Sequence, residues 1–193
     1  LDWADQVLVA TNLQRHSMND FMRQQRGFGP EPEEGDKVIC LRNYWDWGNL
    51  TNGDPLVNGT IGTLHDPKYS HINVPFYAYE KGKINILTGV FESDLGENYG
   101  HINMDPRIMK GGESELEWRD KYKLNKLKNR IGDVVPKEFT YGYAITCHKA
   151  QGSEWDNVLV LEEKFPFQPV DHARWLYTAA TRAAEKLVIV TKD

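Results

Sequence analysis

Two short stretches of this 193-residue chain concentrate side chains that can do chemistry. The first is Tyr143-Ala144-Ile145-Thr146-Cys147-His148-Lys149-Ala150-Gln151-Gly152-Ser153-Glu154-Trp155-Asp156. Between Thr146 and Glu154 it offers a hydroxyl, an imidazole, an ammonium group, a carboxamide, a glycine and a carboxylate. That set suits phosphate and ribose contacts, with His148 and Lys149 toward anions and Glu154 toward a sugar hydroxyl. Gly152 lets backbone approach a ligand closely. A solvated loop capping a strand would have the same composition. The second stretch is Trp175-Leu176-Tyr177-Thr178-Ala179-Ala180-Thr181-Arg182-Ala183-Ala184, in which a lone arginine stands among small residues. An arginine at a helix end can stabilise charge on a transferring phosphoryl group. A surface arginine with a solvated head fits the same pattern.

The elements that must position these residues alternate between strand and helix. Residues 5–10 are a short apolar run suited to a strand buried on both faces. Thr11 and Asn12 can cap a helix over 13–25, whose Leu13, Met18, Phe21 and Met22 can share one face. Gly27 and Gly29-Pro30 stop it. Residues 35–43 read as a second strand and 57–64 as a turn entering a third, with the polar, aromatic loop 44–56 between them, Asn52-Gly53 included. Toward the end, 143–146 and 158–161 are short buried strands, 170–184 a helix and 187–190 a final strand. In such a mainly parallel sheet, ligand sites form at the carboxyl ends of the strands, where the loop after Thr146 is expected to open.

The region from about 65 to 140 interrupts the alternation and reads as an insertion of small β character. Residues 74–79 and 83–87 are strand-like around a Glu80-Lys81-Gly82 turn, and 95–112 carry no assignable pattern. Residues 113–130 are the best helix of the region, acidic at Glu113, Glu115 and Glu117 and basic later. From Arg119 to Arg130 it holds six cations against the single carboxylate of Asp120. That suits a phosphate track or a solvated face. Tyr44, Trp45 and Trp47 suit either base stacking or packing under the loop.

Composition narrows the classes. Apolar residues make up 40% and charged residues 26%, so a folded domain is expected rather than a disordered tail. A net charge of −5 argues against an indiscriminate nucleic-acid coat without excluding a local basic track. Cys40 and Cys147 fit neither a zinc spacing nor a disulfide framework, so no metal site is expected and a cytoplasmic setting is. No stretch approaches ~18 consecutive apolar residues, so no membrane span is expected. The chain starts at Leu1 without a methionine, which suggests a piece of a longer protein.

Together the two stretches resemble motifs V and VI of superfamily 1 DNA helicases, in the RecD-like and phage Dda-like branch. That branch reads roughly T-x-H-K-x-Q-G-S-E-x-D followed by Y-x-A-x-T-R-A. Gly35-Asp36-Lys37-Val38 and Val57-Asn58-Gly59-Thr60-Ile61-Gly62 resemble its G-D-K-V … R-N … N-G-x-x-G, and residues 12–19 its motif IV region. The resemblance implies an α/β, RecA-like (P-loop NTPase-type) domain with a mainly parallel sheet, over 1–64 and 141–193. It also implies an inserted SH3-like β domain over 65–140.

The activity implied is that of the C-terminal motor half of an ATP-dependent helicase moving 5′ to 3′ on single-stranded DNA. ATP would lie between this domain and an N-terminal RecA-like domain of the same parent protein, which would hold the Mg²⁺. This chain has no G-x-x-x-x-G-K-S/T, so it is not expected to hydrolyse ATP alone. By position, Arg182 resembles the arginine finger. Gln151, Gly152 and Glu154 would face the nucleotide. Arg15, about one helical turn past Ala10, is the substitute for an arginine that many members carry there. Thr146, His148 and Lys149, with Arg42, Asn43 and Asn58, would contact DNA. A non-catalytic nucleic-acid-binding or protein-interaction module derived from a helicase is the rival reading.

Overall fold

The computed structural model describes residues 1, 3–46, 55–163 and 168–191. Trp47 and the Asn52-Gly53 turn lie outside them. In chain order the elements are β1 (Gln6–Val9), α1 (Asn12–Gln25), β2 (Asp36–Cys40), β3 (Ile61–Asn73), β4 (Lys83–Ser93), β5 (Asn98–Met104), α2 (Pro106–Met109), α3 (Trp118–Lys126), α4 (Lys128–Ile131), β6 (Phe139–Tyr141), β7 (Ala144–Thr146), β8 (Trp155–Leu161), α5 (Pro169–Ala180) and β9 (Ala183–Val190). They form two compact units, one of Leu1–Pro30 with Gly142–Asp193 and the other Glu31–Tyr141. No helix among the described residues is long and apolar enough to cross a membrane.

The first unit is built on a four-stranded parallel sheet in the order β7-β1-β8-β9. Val7, Leu8 and Val9 of β1 are wholly buried, as expected for a parallel strand covered on both faces. Thr11 caps α1, its hydroxyl accepting from the Gln14 amide at 3.2 Å. The helix does not bury the apolar stripe expected of it. Asn19, Met22 and Arg23 point inward, while Leu13 and Phe21 are exposed. Definite backbone partners override the stripe. Asn19 Nδ2 donates to the Ala144 carbonyl at 3.0 Å, and the Ala144 amide donates back to Asn19 Oδ1 at 2.9 Å. Arg23 donates to the Gly29 carbonyl at 2.7 Å. At the other end of the unit α5 stops at Ala180 rather than 184, because residues from Ala183 onward pair with β8.

The second unit holds a five-stranded antiparallel sheet in the order β5-β4-β3-β2-β6. Sequence reading placed residues 35–43 in the parallel-sheet part and began the insertion at 65. Instead β2 lies between β3 and β6, both antiparallel to it, and the unit starts at Glu31. The third strand runs on to Asn73 through a bulge at His65–Lys68, where Asp66 takes a φ of 50°. Residues 74–79 form a turn, not a strand. Pro75 has no amide to give a ladder, and its carbonyl accepts from Ala78 at 2.8 Å and Tyr79 at 3.1 Å. The unassigned stretch 95–112 contains β5 and α2. The long helix starts only at Trp118, where the Asp120 carboxylate accepts from the Glu117 amide at 3.2 Å. It breaks at Leu127 into α4. A core of Leu124, Leu116, Ile84, Ile86 and Val134 lies beneath α3.

Candidate functional site

Strand register decides where the chemically equipped residues stand. Ala144 and Leu159 both pair with Val7. Thr146 therefore lies two positions beyond that level and Trp155 four positions before it. The two are about 20 Å apart along the strands at ~3.3 Å per residue. Residues 147–154 thus carry the chain from the carboxyl edge of the sheet to its amino edge. The expectation that all of 146–154 opens at the carboxyl edge is corrected: Thr146 stands there, and Glu154 stands at the opposite edge.

The crossing segment is wound into turns. Lys149 and Ala150 donate to the Thr146 carbonyl at 2.8 and 3.2 Å, and Ser153 donates to Ala150 at 3.1 Å. Gly152 has a φ of +87°, a conformation that penalises any side chain. His148, Gln151 and Glu154 are exposed, Lys149 half-buried.

Arg182 sits between α5 and β9 and meets the end of this segment. Its Nη1 donates to the Ser153 carbonyl at 3.0 Å and its Nε to the Thr178 carbonyl at 3.2 Å. Nη2 donates to Thr181 Oγ1 at 3.1 Å. The Arg182 carbonyl in turn accepts from the Trp155 amide at 2.9 Å. Three side-chain bonds fix a half-exposed guanidinium beside Gly152 and Glu154, and the fourth ties the Arg182 backbone to β8. Nearby, burial pushes the Cys147 thiol up from its ordinary range, against the opposing charge of Arg182. A cavity of about 310 Å³ separates the turn from α5, with His148 and Gln151 on one wall and Trp175, Thr178 and Arg174 on the other.

Arg15 does not join this cluster. It lies in the first turn of α1, one turn before Asn19, and Asn19 is bonded to Ala144. That puts it toward the carboxyl edge, with Thr146. Its Nη2 meets His16 Nε2 at 2.9 Å, while its Nε is buried with no partner among the described residues. Burial lowers the pKa of Arg15, and burial followed by the Arg15 charge lowers that of His16.

Arg42, Asn43 and Asn58 belong to the other unit. Arg42 Nε donates to Glu138 at 2.8 Å, and Asn43 Oδ1 accepts from the Asn58 amide at 2.8 Å. Sequence reasoning passed over Arg174, whose only local sign was its i, i+3 spacing from Asp171, now 3.6 Å away. It also passed over Glu163, whose carboxylate accepts from the Thr11 amide at 3.0 Å and the Thr11 hydroxyl at 3.1 Å. Among the described residues no cluster of His, Cys, Asp or Glu is arranged to hold a metal ion.

The first unit thus combines a four-stranded parallel sheet with an arginine, Arg182, fixed against a glycine-bearing turn. Residues 141–190 match the family of UvrD-like helicase C-terminal domains. Solved structures with the same fold include the Pif1 helicase of Bacteroides in complex with ADP-AlF3 and single-stranded DNA, at 15% identity and a TM-score of 0.54. That match covers 97% of this chain and 40% of the Bacteroides one. The Pif1 helicase of Candida albicans matches at 18% identity and a TM-score of 0.52, over 97% of this chain and 45% of that one. This chain thus spans less than half the length of either. An uncharacterized protein of Methanocaldococcus jannaschii is 40% identical over 57 residues, which is 30% of this chain and 5% of that protein.

Proposed function

We propose that this chain is the C-terminal motor half of an ATP-dependent DNA helicase that translocates on single-stranded DNA. In this reading the first unit is RecA-like and meets an N-terminal RecA-like domain that holds ATP and Mg²⁺. The second unit is the SH3-like insertion of the RecD and Dda branch, which travels 5′ to 3′. Arg182 is the arginine finger, Gly152 and Glu154 flank the nucleotide beside it, and Gln151 lines the cleft behind. Thr146, His148 and Lys149 form the strand-contacting surface of the first unit, with Arg42, Asn43 and Asn58 that of the second. The carrying observation is the convergence of Arg182 on Ser153 at 3.0 Å, which brings motif VI to motif V at one edge of the sheet.

The chemistry follows from the guanidinium. It cannot lose its charge at neutral pH, and its bonds to backbone oxygens hold it in one place. It can therefore face a developing phosphate charge without first being ordered. Arg15 lies apart from this edge, so its buried Nε serves the carboxyl-edge surface with Thr146 rather than the nucleotide. The test is ATP turnover by the intact protein with Arg182→Ala. Turnover should fall by about 10³-fold or more while single-stranded DNA binding is retained. Unchanged turnover removes Arg182 from its role. A parent protein without a phosphate-binding P-loop would turn the reading to a nucleic-acid-binding module.

A further inference from the structure

The cations of α3 and α4 are sorted by the fold into two groups. Lys121 donates to Glu138 at 2.8 Å, and Lys128 lies 3.3 Å from Asp133 and 3.5 Å from Asp46. Those two serve the interior side of the unit. Arg119, Lys123 and Arg130 have no carboxylate partner among the described residues. They are exposed together with Lys126, whose ammonium stands 4.6 Å over the Tyr122 ring. Trp118 and Tyr122, one helical turn apart, stack on each other with centroids 5.6 Å apart and planes 15° from parallel. Their exposures are 75% and 51%.

Helical geometry explains the sorting. At ~100° per residue, positions 118, 119, 122, 123 and 126 cover one side of α3, and Leu124 and Leu127 the side packed on the core. Neither ring is needed for that core. An exposed tryptophan stacked on an exposed tyrosine leaves broad apolar surface in water, at an energetic cost that folding alone does not recover. The nearest carboxylates in sequence, Glu117 and Asp120, close the start of the helix.

We propose that this face is a stacking site for unpaired nucleotides. Bases extend the Trp118–Tyr122 stack, and Arg119, Lys123, Lys126 and Arg130 hold the phosphates on either side. The polymer must be single-stranded, because a duplex hides the base faces that these rings would meet. It must also be polyanionic, because Arg119, Lys123 and Arg130 beside the rings have no carboxylate partner among the described residues. Stacking reads no sequence, since every base has a π face. The proposal rests on the nucleic-acid reading for the class of ligand, but not on Arg182 or on ATP.

The test is fluorescence anisotropy of the intact protein with labelled oligo(dT) and oligo(U) of roughly 15 nucleotides. Trp118→Ala and Tyr122→Ala should each weaken binding by about ten-fold, the loss expected from one stacked base. Arg119→Gln combined with Lys123→Gln should lower the slope of log affinity against log salt by roughly 1.4, about 0.7 per phosphate contact. Weakening with either oligonucleotide supports the site, and the strand showing the larger loss identifies the sugar it serves. Affinities unchanged for both strands would overturn it.

Photocrosslinking of iododeoxyuridine-containing strand to the unsubstituted protein needs no variant. Adducts on Trp118 or Tyr122 support the proposal, and adducts confined to other residues overturn it. Retained turnover in Arg182→Ala with lost binding in Trp118→Ala would remove Arg182 from its role and leave this site standing; lost turnover in Arg182→Ala with unchanged binding in Trp118→Ala would do the reverse.

Discussion

The two units of this chain hold their polar side chains in different ways. In the parallel-sheet unit the anchors run from side chain to backbone: Asn19 to Ala144, Gln6 to Gly142 and Tyr143, Arg23 to Gly29, and Arg182 to Ser153 and Thr178. In the antiparallel unit charges pair with one another. Glu138 lies between Arg42 and Lys121, Asp133 between Lys128 and Lys137, and Glu31 bonds Lys110. An anchor to backbone from an amide or a guanidinium, which do not titrate near neutral pH, is indifferent to pH and fixes geometry. An ion pair responds to pH and to salt. The first arrangement suits a site that must hold a guanidinium in place, and the second a platform whose charge is exposed for a partner.

Arg182 offers the strongest way to break the comparison. A 10³-fold fall in turnover in Arg182→Ala corresponds to about 4 kcal/mol of lost transition-state stabilisation. If turnover were kept and only thermal stability fell, the bonds to Ser153 and Thr178 would be purely structural. The parallel unit would then have no stronger link to chemistry than its neighbour.

Gly62 tests the antiparallel unit from the other direction, because there backbone rather than charge dictates the residue. A Cβ at Gly62 would lie 2.0 Å from the Glu92 carbonyl oxygen and 2.6 Å from the Ser93 Cα. Gly62→Ala must therefore push β3 and β4 apart, at a cost of about 3 kcal/mol. Chemical denaturation should show the loss, and hydrogen exchange should localise it to residues 61–64 and 91–94. A silent substitution would mean that the two strands yield freely at that point.

Asn19 is the corresponding probe in the parallel unit. Its carboxamide satisfies both the amide and the carbonyl of Ala144 on the edge strand β7. Asn19→Ala leaves two backbone groups of that strand without this partner and should cost about 2 kcal/mol. The loss should be the same at pH 5 and pH 8, since no titrating group takes part. Exchange protection should drop at Ala144 and Thr146. A pH-dependent loss would contradict the division between the two units.

Local signals were legible in the sequence and pairing partners were not. The buried run of β1 and the Thr11 cap are properties of neighbouring residues, and both appear where expected. The two stretches that carry Gly152 and Arg182 are likewise contiguous in sequence. The membership of β2 depends on Tyr141, about a hundred residues away, and no local pattern records it. The opposed edges of Thr146 and Glu154 follow from register against Val7, which is equally non-local. The same register sets Arg15 apart from the edge that carries Arg182. In 74–79 the apolar pattern outweighed Pro75 in the reading, and Pro75 decided the structure. On α3 the cation count was plain, but only tertiary pairing separates Lys121 and Lys128 from the cations that face solvent.

Glu138 gives the smallest effect and the cleanest sign. Burial pushes its carboxyl up, but hydrogen bonds from Lys121 and Arg42 outweigh burial and hold it below its ordinary 4.5. A carboxyl lowered in the folded state contributes stability that is complete above its unfolded value and is lost as pH falls through the folded one. Arg42 is largely exposed, so solvent screens its share and the whole contribution is about 1 kcal/mol or less. Glu138→Gln should therefore destabilise the antiparallel unit slightly at pH 7. As pH falls below the ordinary carboxylate range the difference should narrow, and it should close once the native carboxyl itself becomes neutral. Denaturation midpoints of both proteins across that range provide the measurement, with exchange at Ala144 as the internal reference from the parallel unit. Curves that stayed parallel down to pH 3 would mean that Glu138 acts as a neutral hydrogen-bond acceptor. The antiparallel unit would then be anchored in the same manner as its neighbour.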